Sequence, residues 1–155
     1  MQIGIISDTH GHLASKVFSV FNDVDIIFHA GDIGDIGIIQ QLEILCPVFA
    51  VYGNIDKRPI ISKYPSVLVK ELNSKTIYLT HNIVSIKLHR YVLFKKNIVP
   101  NVVIYGHTHK LGYQIFRNIL YINPGSASKP KGRDVGSVAV LNLDNNPLIP
   151  KFFYL

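Results

Sequence analysis

The sequence has a single cysteine, no tryptophan and no long apolar run. One cysteine, Cys46, excludes an intramolecular disulfide and a metal site built from cysteines. The longest apolar stretches, 25–30 and 47–52, are far shorter than the ~20 residues that a membrane-spanning helix needs. Residues 1–6 lack the basic segment with which a secretory signal begins. These absences predict a cytoplasmic protein that does not associate with membranes.

Acidic residues are also scarce. The chain has 16 lysines and arginines against 10 aspartates and glutamates, a net charge of +6 at pH 7. This balance is compatible with nucleic-acid binding, but it also fits an ordinary basic surface, which we favour because the lysines are spread along the chain. Two basic segments, 87–96 and 129–133, lack the interleaved aromatic residues of a single-strand binder. Nucleic acid is therefore an open but less favoured partner.

The first half of the chain alternates apolar strands with helices. Hydrophobic residues make up 48% and charged residues 17% of 155 residues, which suits one globular domain spanning the chain. Hydrophobic periodicity predicts strands at 2–7, 25–29 and 47–52 and helices at 13–21 and 36–45. Strands this apolar, separated by helices, indicate a parallel sheet covered on both faces.

The second half is mostly β-structure. Residues 67–72 and 75–80 are predicted to form a hairpin. The apolar pattern at 85–96 predicts a helix, in which His89 is expected to be solvated. The apolar residues of that helix are Ile86, Leu88, Tyr91, Val92 and Phe94. Further strands are predicted at 101–105, 113–117, 119–122, 136–143 and 151–154.

Polar residues with metal-binding chemistry follow five of the predicted strands. In open α/β sheets the carboxyl ends of parallel strands meet in one crevice, so these side chains should converge. Carboxylates and imidazoles suit Mn, Fe, Zn or Ni, and one carboxylate can bridge two ions about 3.5–4 Å apart, as in many phosphatases and nucleases. Gly31, Gly53 and Gly106 suit sharp turns or close backbone approach. The seven candidate ligands are Asp8, His10, Asp32, Asn54, His81, His107 and His109.

Each of these motifs alone has a plain structural explanation. The segment from Asp8 to His10 could cap the following helix. The Gly-Asp and Gly-Asn pairs are common turn dipeptides. His107 and His109 are more informative, because two histidines in a turn after a strand have little structural purpose. All five motifs in this order, each after a strand, favour the metal site.

The motif series resembles that of the calcineurin-like metallophosphoesterases. The series is Asp8-x-His10, Gly31-Asp32, Gly53-Asn54, His81 and Gly106-His107-x-His109. The short chain and the Asn-Pro-Gly-Ser segment at 123–126 are similar to the small YfcE-type phosphodiesterase branch. The resemblance covers the whole chain and implies an α/β fold, a four-layer α/β/β/α sandwich of two mixed sheets flanked by helices.

The same resemblance implies a binuclear site. It assigns Asp8, His10, Asp32 and His109 to one divalent ion. It assigns Asp32, Asn54, His81 and His107 to the other, so that Asp32 bridges the two. Manganese is favoured, with Ni, Co, Zn, Fe and Mg as further candidates.

A metal-dependent phosphodiesterase acting on a small diester is therefore expected. Asp8, Asp32 and Asn54 would hold the metal-bound water that attacks phosphorus. Asn54 and His81 are candidate contacts to the substrate. His12 is a candidate phosphate contact or proton donor, but a solvated residue at the start of a helix is the slightly favoured interpretation.

Ile55 departs from the family pattern. Larger members carry a histidine after the Gly-Asn pair, and that histidine assists the leaving group. Isoleucine cannot donate a proton, and general-acid assistance is typically worth about 10²–10⁴-fold. We therefore expect weak activity on poor leaving groups and a preference for activated or small diesters.

Two other functions stay open at the sequence level. A small eukaryotic retromer subunit shares the fold but acts as a protein-interaction scaffold, which has no need for seven metal ligands. A nuclease would suit the basic charge. The aromatic residues at 152–154 could also serve a homodimer.

Overall fold

The computed structural model describes residues 1–128 and 135–155, so the basic segment 129–133 lies outside the described residues. Within the described part, ten strands form two five-stranded sheets. In chain order the elements are β1 (Gln2–Ile6), α1 (Lys16–Val20), β2 (Ile26–His29), α2 (Ile36–Glu43), β3 (Val48–Ala50), α3 (Ile60–Lys63), β4 (Val67–Leu72), β5 (Lys75–Thr80), α4 (Ile86–Lys95), β6 (Val102–Ile104), β7 (Gly112–Phe116), β8 (Ile119–Asn123), β9 (Ser137–Asn142) and β10 (Lys151–Tyr154).

Both sheets are mixed. Sheet A has the order β10-β9-β1-β2-β3: β1, β2 and β3 are parallel, β9 pairs antiparallel with β1, and β10 pairs antiparallel with β9. Sheet B has the order β4-β5-β6-β8-β7, with β5, β6 and β8 parallel and the two edge strands antiparallel. The parallel strands predicted in the first half are therefore the centre and one edge of sheet A.

Three apolar cores separate four layers. Neighbouring residues of one strand serve different cores: Ile5 packs between the sheets, whereas Ile6 packs against α1, α2 and α3. In sheet B, Leu79 faces sheet A and Tyr78 faces α4. Strands buried on both faces need apolar residues at every position, which explains the uninterrupted runs. The predicted α/β/β/α sandwich of two mixed sheets is confirmed.

Several element predictions differ from the structure. The helix predicted at 13–21 is only Lys16–Val20, and α3 at Ile60–Lys63 was not predicted. Most strand ends agree to within one or two residues, the usual uncertainty of such boundaries. No helix in the described parts of the chain is long and apolar enough to cross a bilayer.

The prediction that His89 is solvated is wrong. His89 is 8% exposed and lies between two aromatic rings, with ring centroids 5.1 Å from Tyr78 and 6.0 Å from Tyr121. The helix α4 therefore packs His89 and Leu93 onto sheet B. Tyr91 and Phe94, which are apolar residues of the same helix, are instead exposed.

Candidate metal centre

The carboxyl ends of five strands meet at one edge of the sandwich. Backbone hydrogen bonds continue past the strand ends and fix the loops against each other. The N–H of Asp8 donates to the carbonyl of Gly31, and the N–H of His10 donates to the carbonyl of Asp32, both at 3.0 Å. In sheet B the N–H of Gly106 donates to the carbonyl of His81 at 2.9 Å.

One group of candidate ligands forms around His109. Its Nε2 lies 3.1 Å from Oδ1 of Asp8 and 3.4 Å from Nε2 of His10. Ligand atoms of these three residues all lie within 4.8 Å of one another. The geometry suits a single cation held by one carboxylate and two imidazoles.

A second group forms around Asn54. Its Oδ1 lies 2.9 Å from Nε2 of His81 and 2.9 Å from Nδ1 of His107. Nε2 of His81 is also 3.4 Å from Oδ1 of Asp32. Asp8, Asp32 and His81 offer ligand atoms within 4.8 Å of one another, which connects the group around His109 to the group around Asn54. The structure thus brings all seven candidate side chains into one continuous cluster.

Five of the seven candidates have left-handed backbone. The φ angles are 55° at Asp8, 47° at His10, 52° at Asp32, 66° at His107 and 57° at His109. Such angles are uncommon outside glycine, and aspartate and histidine adopt them more readily than most residues. Strained backbone of this kind clusters at functional sites because the surrounding structure must hold it in place.

Asp56 joins the two loops that carry Asp32 and Asn54. Its buried carboxylate accepts hydrogen bonds from the N–H groups of Ile33 at 3.1 Å, Gly34 at 2.7 Å and Gly53 at 2.8 Å. Sequence reasoning gave this residue no role. Aspartate often binds backbone N–H groups nearby in sequence, but partners 22 and 23 residues away cannot be read from spacing.

The Asn-Pro-Gly-Ser segment lies beside the cluster. Asn123 Nδ2 donates to the carbonyl of Gly106 at 2.8 Å and to Oγ1 of Thr108 at 3.0 Å, which orients the loop that carries the last two histidines. The hydroxyls of Ser126 and Ser128 both donate to the carbonyl of Asp8 at 2.9 Å.

The charge state of the cluster is set by burial and by hydrogen bonds. Burial raises the pKa of Asp8, whose Oδ1 is buried and accepts no hydrogen bond from the described residues. Burial would also raise the pKa of Asp32, but the hydrogen bonds from His81 and from the Ile55 N–H outweigh it and lower that pKa. For His81, burial opposes protonation, yet hydrogen bonds to Asp32 and to the Ala30 carbonyl raise its pKa.

These side chains fit divalent cations. The amide oxygen of Asn54 and the carboxylates of Asp8 and Asp32 are acceptors crowded together, and Asp8 Oδ1 lacks a donor within the described chain. His81 Nδ1 lies 2.7 Å from the Ala30 carbonyl, so it is the donor there, and Nε2 is the atom that would bind a metal after losing its proton. A ligating histidine typically binds a carbonyl through its other nitrogen in this way.

Two further residues that the sequence singles out, His12 and Ile55, are exposed. His12 is exposed, and its side chain has no hydrogen-bond partner among the described residues. Ile55 is 40% exposed, and its N–H donates to Oδ1 of Asp32 at 3.1 Å.

His29 is buried beneath the cluster. Its Nδ1 accepts from the Gly31 N–H at 3.2 Å, so Nε2 carries the proton and donates to Oγ1 of Thr9 at 3.0 Å. The Thr9 hydroxyl donates in turn to the carbonyl of Ile33. Burial lowers the pKa of His29 to about 3.

A test of this arrangement is the pH dependence of stability. An unfolded His29 binds a proton below its ordinary pKa of 6.5, whereas the folded one does not until pH falls to about 3. As the pH falls from 6.5 to about 3, we therefore expect the unfolding free energy of the wild type to decrease by about 1.4 kcal/mol per pH unit more than that of His29→Gln. Urea unfolding in chelator at several pH values measures this. The exposed His12→Gln is the control, and parallel curves for His29→Gln and the wild type would contradict the prediction.

Comparison with known proteins identifies the family. The model of the calcineurin-like phosphoesterase superfamily domain matches residues 1–146. A probable metallophosphoesterase of Methanothermobacter thermautotrophicus is 35% identical over 157 residues, covering 96% of this chain and 89% of that protein. The chain therefore belongs to the calcineurin-like phosphoesterase superfamily and is a metallophosphoesterase.

Solved structures share the fold of this chain. The structure of an archaeal phosphodiesterase superposes with a TM-score of 0.81 at 27% identity, over 100% of both chains. Vps29 of Chaetomium thermophilum superposes with a TM-score of 0.83 at 16% identity, over 99% of this chain and 88% of that one. The second likeness is one of fold alone.

Proposed function

We propose that this metallophosphoesterase hydrolyses phosphodiesters at a site that holds two divalent metal ions. The observation that carries the proposal is the contact between two groups of ligands, one around His109 and one around Asn54. A single ion would leave one of these groups without a partner. The similarity to an archaeal phosphodiesterase supports the diester as substrate.

The seven proposed ligands fall into two sets according to which side chains lie close together. Asp8, His10 and His109 would hold one ion, and Asn54, His81 and His107 the other. Asp32 would serve both, which is supported by its position beside His81 and within the same 4.8 Å group as Asp8. When bound, the ions supply an activated water at neutral pH and positive charge for the phosphoryl oxygens.

The charges of the site suit a diester. Two carboxylates offset half of the charge of two divalent ions, which leaves a net positive field toward a monoanionic phosphate. Asn54 and His81 would also contact that phosphate. His12 is the nearby histidine without a fixed partner, so we propose it as a phosphate contact at the rim.

Leaving-group specificity follows from Ile55. Its side chain is partly exposed beside Asp32 and offers no proton to a departing alkoxide. A diester with an acidic leaving group needs no such help. The proposed substrate is thus a small or activated diester, in the cytoplasm and with manganese as the favoured metal.

The experiment uses protein stripped with chelator and supplied with Mn, Ni, Co, Zn, Fe or Mg. Bis(para-nitrophenyl) phosphate and para-nitrophenyl phosphate are compared as diester and monoester. We expect hydrolysis of the diester to return with metal and to exceed that of the monoester. Faster hydrolysis of para-nitrophenyl phosphate than of the diester, or rapid phosphate release from an alkyl monoester assayed beside them, would refute the substrate assignment. No turnover with any metal in a folded protein would favour a scaffold instead.

A further inference from the structure

The outer face of sheet B is only partly covered. Helix α4 packs on the middle strands through His89 and Leu93, while β7 lies at the sheet edge. Between α4 and the end of β7 is a groove of ≈ 660 Å³, which we call the α4 groove. Its lining residues are Lys87, Arg90, Tyr91, Phe94, Phe116 and Arg117.

The α4 groove is strongly cationic. Within the described chain, none of its three basic residues lies within 4.0 Å of a carboxylate. The surrounding sequence cannot easily supply one, because no aspartate or glutamate occurs between Glu71 and Asp134. Nε of Arg90 is buried and donates no hydrogen bond to a described residue. A desolvated guanidinium nitrogen without a partner is costly, and an anion held by the exposed parts of the three cations would reduce that cost through its charge.

The apolar walls of the groove are aromatic, so the expectation that segment 87–96 lacks interleaved aromatic residues is wrong. Tyr91 and Phe94 are 56% and 63% exposed, which is unusual for apolar residues on a helix that packs on a sheet. The guanidinium of Arg117 lies 5.8 Å from the ring centroid of Phe116. Aromatic faces and a guanidinium plane both favour stacking with a flat ring. The volume falls in the range of about 300–1,000 Å³ typical of small-molecule sites, which argues against a polymer.

We propose that the α4 groove is a second binding site, for a small aromatic phosphate such as a nucleoside monophosphate. The ring would stack among Tyr91, Phe94 and Phe116, and the phosphate would face the three cations. The groove is separate from the metal centre. Phe116 and Arg117 lie at the opposite end of β8 from Asn123, roughly 13 Å along the strand. The proposal does not depend on hydrolysis at the metal centre.

The test is amide-shift mapping by NMR with the full chain in the presence of Zn²⁺, which is diamagnetic. AMP is titrated beside adenosine and inorganic phosphate, which supply the ring and the anion separately. We expect AMP to shift amides at 87–94 and 116–117 and to bind about tenfold more tightly there than either comparator. Arg117→Gln and Phe94→Ala, both at exposed positions, should each weaken binding about tenfold. Lys16→Gln, an equal charge change on the other side of the molecule, should not.

Four results would overturn the proposal. The first is AMP shifts confined to the metal-centre loops. The second is equal weakening by Lys16→Gln and Arg117→Gln, which would indicate general charge attraction. The third is tighter binding of a short oligodeoxyadenylate at the same amides, which would indicate a nucleic-acid strand. The fourth is a shift of the groove amides on dilution without AMP, which would indicate a second copy of the chain.

Discussion

Asp32→Asn is expected to abolish metal-dependent diester hydrolysis while the protein stays folded. Asparagine keeps the size of the side chain, and its carbonyl can still accept the Ile55 N–H that Asp32 Oδ1 accepts at 3.1 Å. It loses the negative charge placed beside both ligand groups. Changes outside the ligand set typically cost 10–100-fold in metal affinity or activity, so we expect a loss of at least about a hundredfold here.

The measurements are metal content after dialysis, diester turnover and thermal unfolding. Asp23→Asn, an equal charge change at an exposed position, should leave turnover near that of the wild type. A variant of Asp32 that retains two ions and normal turnover would show that this carboxylate is not a shared ligand. An unfolded Asp32→Asn protein would be uninformative about binding, so His109→Ala, at the rim of the cluster, provides a second test with the same expected loss.

Gly53→Ala is expected to cost both stability and activity. The backbone of Gly53 lies outside the left-handed region, so alanine is resisted only by its neighbours. The added methyl would overlap Oδ1 and the backbone nitrogen of Asp32, with Cγ of Asp32 only 2.9 Å away. Since the loops are tied together by Asp56, neither can move without breaking a buried hydrogen bond. Overpacking of this kind costs about 1–3 kcal/mol, and the displaced carboxylate should lose its metal.

The matched control is Gly112→Ala. A methyl group at Gly112 in β7 would have no neighbour within 4 Å, and the change is expected to be neutral or slightly stabilising. Urea unfolding and diester turnover of the two variants show whether the effect at Gly53 comes from its close contact with Asp32 or from the change of glycine to alanine itself. Equal behaviour of Gly53→Ala and Gly112→Ala would contradict the prediction.

The sequence predicted the position of the cluster because residues that can bind metal occur where parallel strands end. Parallel strands end at one edge, and each end carries a carboxylate, an amide or an imidazole. Contacts made by distant loops were not predictable in the same way. Asp56 shows no pattern that would announce its three backbone partners, and the hydrogen bonds from Ser126 and Ser128 to Asp8 depend on the packing of the finished fold.

Helix α4 shows a second reason why the sequence did not predict the whole structure. Helix α4 has more apolar residues than sheet B buries. The sequence therefore predicted a helix but not which of its faces is buried. The face that packs contains His89 and Leu93. Tyr91 and Phe94 therefore remain exposed beside the edge strand. Hydrophobic periodicity indicates which residues avoid water, but not whether the fold provides a partner for all of them.

The position of β1 in sheet A has a consequence for biosynthesis. β1 pairs with β2 on one side and with β9 on the other, so that Gln2 lies opposite Asn142. A ribosome that adds about 5–20 residues per second leaves the second edge of β1 unpaired until β9 has been made. An apolar strand with a free edge is a template for aggregation, and pairing between distant segments is slow. The strand that leads to Asp8 should thus be made long before the strand that completes its native pairing.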